Sequence, residues 1–438
     1  MRAATDADFN NGGRYFDYKL DIYFDSTPLT VTKVDYLIDV DWLEEGSAES
    51  SNPFGVVSSN ELSFRLFNKE GMFSPTNASG PYFGKIKSGI LVVPSIKPLY
   101  DDDEVDWVML GKFYVTGWGA QITGAYADIT ANDRWHQIFN NKLPNYPISI
   151  GKTYSEFLTE VLGAEVNVDA ALAEVLPYAF VEGTYKSFLQ EVSAAALSYV
   201  TSNKQGDPVI GAFTGNAAQR AILTDADQIK TVSAKQSITR AYDGVELRYN
   251  TPQISAPEKL VEFTGLVLPV GQTSFENVTL TKGPLWNIAA IEVISPSDAV
   301  TLEDFRATQW LANMSLNASA KTTASIALYG RVLNLIDLIL TDEADRLLKV
   351  TNKYVQSNAY AEFYKGVINS FIASDIPTLA LSVRGNPLLN IGDRVLVQST
   401  KYNLSFDGII QRMSYKYAGG LSCDMLLLNN DILQGVRV

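Results

Sequence analysis

The sequence predicts a mainly β chain with α+β parts: two similar β-modules, a small α/β unit and a separate β-sandwich. Three observations predict it. First, Gly111 to Asp133 (GKFYVTGWGAQITGAYADITAND) reads as strand, Gly/Ala-rich turn and strand, closed by Asn132-Asp133, and Gly408 to Asp431 (GIIQRMSYKYAGGLSCDMLLLNND) repeats that plan through Ala418-Gly419-Gly420 to Asn430-Asp431. Second, short runs of period-2 alternation between Gly-rich turns, the hairpin signal, fill most of the chain. Third, the period lengthens to that of a helix only between Thr153 and Thr201 and again over residues 357 to 373. Phe113, Val115 and Ile129 fall to one side in the first hairpin, as do Ile410, Leu426 and Leu428 in the second. A true repeat and a pair of generic hairpins both account for this likeness, because identity between the copies is low. A true repeat would be a symmetry device and not a catalytic one.

The elements follow in order. Residues 17 to 44 carry alternating runs (YKLDIYF, LTVTKVDYLIDVDW) typical of half-exposed antiparallel strands, and a polar gap precedes the alternation of ELSFRLFN, Glu61 to Asn68. Asn68 to Ile90 holds Gly71, Gly80, Gly84, Gly89, Pro75 and Pro81, so it reads as a long ordered loop pinned by Phe73, Tyr82 and Phe83. A strand at Ile90 to Pro94, the acidic run Asp101 to Asp106 and a strand opened by Trp107 lead into the first hairpin.

Thr153-x-x-Glu156 is a capping box, followed by the helical face Tyr154, Phe157, Leu158, Val161 and Leu162. A second helix starts at Thr184 with Phe188, Leu189, Val192, Ala195, Ala196 and Tyr199 on one face, and the strand VIGAF follows. Residues 229 to 250 return to β. Residues 255 to 340, with strands KLVEFTG, NIAAIEVIS, MSLNAS and ASIALYG, read as the sandwich. A helix is predicted over residues 357 to 373 through Ala359, Phe363, Val367 and Phe371. Strands split by RGNPLLNIGDR then lead into the second hairpin.

Composition narrows the function classes. A chain of 438 residues holds two to four domains, and 46% hydrophobic with 19% charged residues is globular. The 22 Tyr and 20 Phe favour strands and contact surfaces. No apolar run is long enough to span a membrane, and the opening MRAATDADFNNGGRYF has no h-region, so a secretory signal is not expected. A net charge of −14 argues against nucleic acid as a bound ligand, since phosphate recognition needs clustered Lys and Arg.

Chemistry finds little to build on. His136 is the only histidine and Cys423 the only cysteine, so a His/Cys metal site, a disulfide and a recognisable nucleophile–His dyad are not expected. The carboxylates Asp101, Asp102, Asp103, Glu104 and Asp106 are the densest cluster; they lack the spacing and Gly of an EF-hand and read as a solvated loop. Trp42, Trp118, Trp286 and Trp310 read as core or interface anchors. The sequons at Asn77, Asn277, Asn313, Asn317 and Asn403 carry little weight without a signal peptide. No Gly-rich phosphate loop occurs. The expectation is no enzyme, no catalytic or cofactor-binding residue, no metal and no cofactor.

At Asn60 to Ile90, NELSFRLFNKEGMFSPTNASGPYFGKIKSGI followed by LGKFYVTGW resembles the opening of phage tail hub proteins, the family that includes the baseplate hub of contractile-tailed phages. VRGNPLLNIGDRVLV followed by FDGIIQRMSYKY is similar to the matching element late in that family. The resemblance covers about three quarters of the chain, with residues 255 to 340 standing apart as an insertion. It implies two similar hub β-barrels: a first barrel over 1–150, the α/β module over 151–225, the start of the second barrel over 226–254, the inserted sandwich over 255–340, and the rest of the second barrel with a helical insertion over 341–438.

It further implies a homotrimeric, pseudo-six-fold virion ring at the tail tip or baseplate. Such a ring joins a six-fold tail tube or distal tail protein to three-fold tip, spike or fibre proteins, meets the tape measure protein, and surrounds a channel for DNA in transit. A lysozyme or needle would then be another polypeptide. Two other readings stand beside it: a glycan-binding or glycan-cleaving tail-tip protein centred on the sandwich, and a hub of a non-phage contractile injection system.

Overall fold

The structure, a computed structural model, describes residues 3–10, 15–45, 54–55, 57–99, 105–144, 146–215, 217–225, 229–235, 242–295, 299–417 and 420–433. After a short helix α1 (Asp6–Asn10), the first module contributes β1 (Phe16–Tyr23), β2 (Leu29–Thr32), β3 (Leu37–Glu45), β4 (Glu61–Phe67), β5 (Leu91–Pro98), β6 (Val108–Met109), β7 (Phe113–Ala120) and β8 (Tyr126–Asn132). Their alternation is the physical reason they are strands. In β1, Phe16, Tyr18, Leu20 and Ile22 are buried while the residues between them are not.

Helix α2 (Arg134–Phe139) then leads into the α/β unit: β9 (Ser149–Thr153), α3 (Tyr154–Leu162), β10 (Asn167–Val168), β11 (Val175–Ala179), α4 (Tyr185–Ala195), β12 (Ser198–Ser202) and β13 (Pro208–Ala212). The capping box is formed at Thr153 and Glu156, and Thr184 caps α4. Next come β14 (Gln219–Thr224) and β15 (Thr231–Lys235). The insertion follows, as β16 (Gly244–Ile254), β17 (Glu258–Leu268), β18 (Gly271–Thr279), β19 (Leu285–Ser295), β20 (Val300–Ala307), β21 (Leu311–Ala318), β22 (Thr322–Thr341) and β23 (Leu347–Asn352), then α5 (Asn358–Ala373). The chain returns through β24 (Thr378–Arg384), β25 (Arg394–Ser399), β26 (Leu404–Tyr417) and β27 (Leu421–Asn429).

Both ends of the chain share one sheet. Its order is β15-β24-β27-β26-β3-β4-β8-β7-β5-β1-β2, with β14 beside β25, β25 also beside β26, and β6 beside β5. Within it the same arrangement is built twice. The antiparallel series β3-β4-β8-β7-β5 and β15-β24-β27-β26-β25 match strand for strand in both spatial order and chain order. The hairpins at Gly111–Asp133 and Gly408–Asp431 therefore hold equivalent places. Ala418 and Gly419 of the second turn lie outside the described residues. The modules meet where β3 pairs with β26, and there Trp42 stacks on Tyr415 with ring centroids 4.4 Å apart. One apolar core runs beneath both modules.

Several boundaries differ from the expectation. Gly244–Ile254, expected to open the second barrel, instead pairs with β22 and β23, because Val245, Leu247 and Tyr249 are buried against the helices of the α/β unit. Of residues 226–254, β15 is the described strand that joins the large sheet. In the other direction β14, expected in the α/β unit, pairs in parallel with β25 of the large sheet. Helix α5 packs in the core of the α/β unit. The sandwich consists of β18-β21-β20 packed on β17, β19 and the first half of β22 around two small cores. Strand β22 is 20 residues long and continues past the sandwich to pair with β16, so the insertion has no clean edge at residue 340.

Candidate assembly surfaces and the joint between modules

Each module folds its post-strand loop back onto its hairpin through a buried Asn. Asn68, directly after β4, accepts a hydrogen bond from the Phe73 N–H at 2.8 Å and donates to Gln121 O and Gly124 O at 2.8 and 3.1 Å. Trp118 of β7 closes the loop by donating its indole N–H to Phe73 O at 2.8 Å. In the second module Asn386 accepts from the Leu388 N–H at 3.0 Å, and Tyr415 of β26 donates its hydroxyl to Asn386 O at 3.0 Å. Trp118 and Tyr415 stand the same distance from Gly111 and Gly408, but the two locks differ in their bonds, since the Asn386 amide donates to Asp6 Oδ1 at 3.0 Å where that of Asn68 donates to its hairpin turn.

The hairpin β12–β13 is wedged against both modules. Toward the first, Trp135 donates its indole N–H to Thr201 O at 2.6 Å, Thr201 Oγ1 donates to Asn60 Oδ1 at 3.3 Å, and Ser202 Oγ donates to Asp133 Oδ2 at 2.7 Å. At its turn Lys204 forms an ion pair with Glu44 of β3, both side chains nearly buried, and lies 5.7 Å over the Tyr415 ring. Toward the second module Tyr199 presses on Gly392: a Cβ there would meet Tyr199 Oη at 2.4 Å, and φ is +89°. The wedge therefore braces the β3–β26 joint from one side.

Asp133 is fully buried, and desolvation pushes its carboxyl up to about 7 against the hydrogen bonds from Ser202, Trp135 and His136 that favour the charged form. It caps α2 by accepting from the Trp135 N–H at 3.1 Å. Asn-Asp before Arg-Trp is a legible N-cap signal, and it is the cue by which the sequence could have yielded α2.

The residues singled out for chemistry do not converge. His136 is exposed on α2, while Cys423 is buried on β27 opposite Tyr415, where burial and the Glu44 carboxylate push its thiol well up. Asp101 to Glu104 lie outside the described residues; Asp106 is exposed, and Trp107 sits between Lys19 and Lys97 with ammonium groups 5.3 and 5.0 Å from its centroid. Trp42 is buried at the joint, and Trp286 meets Tyr178 edge-on at 5.7 Å. Among the described residues no three His, Cys, Asp or Glu side chains are grouped to hold a metal, and no helix is long and apolar enough to cross a membrane. A cleft of about 630 Å³ is lined by Ala171, Ala173, Glu174, Leu197, Ala359, Tyr360 and Phe363, a largely apolar set with Glu174 its one acidic side chain.

No protein-family model matches the chain, and no curated protein matches it. Solved structures do. The 43 kDa tail protein of prophage MuSo2 from Shewanella oneidensis superposes with a TM-score of 0.53 at 12% identity, over 95% of this chain and 99% of that one. The tail protein from Neisseria meningitidis MC58 gives 0.53 at 10% identity, over 95% and 98%. The chain has the fold of phage tail proteins. The likeness is one of fold, and it runs over 95% of this chain and nearly the full length of both solved proteins.

Proposed function

We propose that the chain is a structural, non-enzymatic tail protein of a phage virion, located at the tail tip or baseplate. It forms a homotrimeric hub ring in which each chain supplies two equivalent β-modules, so that six near-equivalent surfaces face a six-fold tail tube or distal tail ring. Three-fold tip, spike or fibre proteins dock on the other side, with a tape measure protein as a further partner. One observation carries the reading: the matched strand order of β3-β4-β8-β7-β5 and β15-β24-β27-β26-β25. Two copies of one module in a three-fold ring give the quasi-six-fold surface that such an adaptor requires. The net charge of −14 suits a channel wall past which DNA moves without adhering.

Light scattering on the purified chain, with negative-stain imaging, tests the proposal. The expected result is a particle of three 48.1 kDa chains with a central opening. A monomer that stays monomeric when mixed with tail-tube subunits would end it.

A further inference from the structure

The two modules leave one strand edge of the insertion unexplained. β22 is flanked by β17 and β19 only as far as about Leu333; from there to Thr341 it pairs with β16 on one side, and among the described residues no strand pairs with the other. Leu333 donates its N–H to Pro284 O at 2.9 Å on the β19 side, and Asp342 donates to Val245 O at 3.1 Å on the β16 side. Alternation along an extended strand therefore turns the N–H and C=O groups of Leu335, Asp337 and Ile339 toward the open edge.

The side chains there are apolar and in water: Ile336 is 44% and Ile339 57% exposed. Natural proteins protect such edges with charge, bulges or a cover, since an open row of backbone groups templates another strand. The one charge within this edge, Asp337, is drawn over β16, where its carboxylate accepts from Asn250 Nδ2 at 2.6 Å. It leaves the slot beside β22 clear.

We infer that this slot, in line with β19, accepts an extended segment of another protein as an added β-strand, and that the segment carries apolar residues flanked by Lys or Arg. Charge selects that occupant over a second copy of this chain. Asn334 to Asp345 holds Asp337, Asp342, Glu343 and Asp345 and no base; Lys365 of α5 pairs with Asp342 at 2.8 Å, so Asp337, Glu343 and Asp345 are the acids that a second copy laid along the strand would set against their own kind. Main-chain bonds to Leu335, Asp337 and Ile339 supply the registry, and the isoleucines supply the apolar contact.

The test uses the full chain and a fluorescent synthetic peptide of about eight residues, alternating Val and Thr with Lys at both ends. The Lys-ended peptide is expected to bind, to weaken as salt rises, and to bind at least about tenfold more tightly than a Glu-ended counterpart. Ile339→Pro removes an N–H that β16 does not use, and should reduce binding by about tenfold or more while the melting temperature holds. Ile339→Lys, which keeps the strand, should do the same through charge. Failure of the Lys-ended peptide to bind, or unchanged binding in both variants, would overturn the inference. So would self-association of the wild-type chain that either variant abolishes, because the slot would then belong to a second copy.

Discussion

Asp133 is the residue whose placement and chemistry pull hardest against each other. Its carboxylate caps α2 and ties β12 to the first module, yet burial raises its pKa from the ordinary carboxylate range to about 7. A carboxyl raised on folding contributes stability that is present below the unfolded value and is lost as pH rises through the folded one. From pH 4 to 7 that loss is on the order of 4 kcal/mol. Asp133→Asn keeps an acceptor for the Trp135 N–H and cannot ionise, so its melting temperature relative to wild type should be higher at pH 8 than at pH 5. An equal offset at both pH values would show that Asp133 is ionised in the folded chain without penalty. The two residues that stand alone in the sequence behave differently from one another. His136→Ala, on the exposed side of α2, should change stability by less than about 0.5 kcal/mol. Cys423→Ser places a hydroxyl in a buried site opposite Tyr415 and should cost about 1–3 kcal/mol in urea unfolding.

At the scale of elements, the wedge β12–β13 depends on the Glu44–Lys204 pair, both nearly buried. Lys204→Met alone leaves Glu44 uncompensated and should cost about 3–5 kcal/mol, whereas Glu44→Leu with Lys204→Met should recover most of that loss. Additive costs in the double mutant would mean that the two charges do not depend on each other. Elements fixed by neighbours in sequence were legible in advance: the capping box at Thr153, the cap at Thr184, the helix read over 357–373 and found at Asn358–Ala373, and both hairpins. Elements fixed by distant partners were not. β16 and β14 carry ordinary strand patterns, and nothing in a period of two says that one pairs with β22 and the other lies parallel to β25. β22 read as ending at Gly330, but it crosses that glycine because the side chains of Leu260 and Leu285 fill the space a Cβ would take. The wedge was invisible for the same reason, since Glu44 and Lys204 are 160 residues apart.

At the scale of the whole molecule, the repeat is joined into a single body. The two modules share one sheet through β3 and β26, and their buried residues form one continuous core, while the α/β unit with α5 forms another. A ring built from such chains gains stiffness, because the angle between the modules is set by strand pairing and not by a linker. The hairpins β7–β8 and β26–β27 should then open together in native-state hydrogen exchange, at one free energy. Trp42→Ala removes the fully packed ring that stacks on Tyr415 at the joint, at a cost of about 3–5 kcal/mol. Its effect should appear as an equal loss of protection in both hairpins, with the amides of α3 and α4 affected less because their core is separate. If protection falls in β26–β27 alone while β7–β8 keeps its wild-type value, the modules open independently, and the rigid pairing on which a quasi-six-fold ring depends is absent.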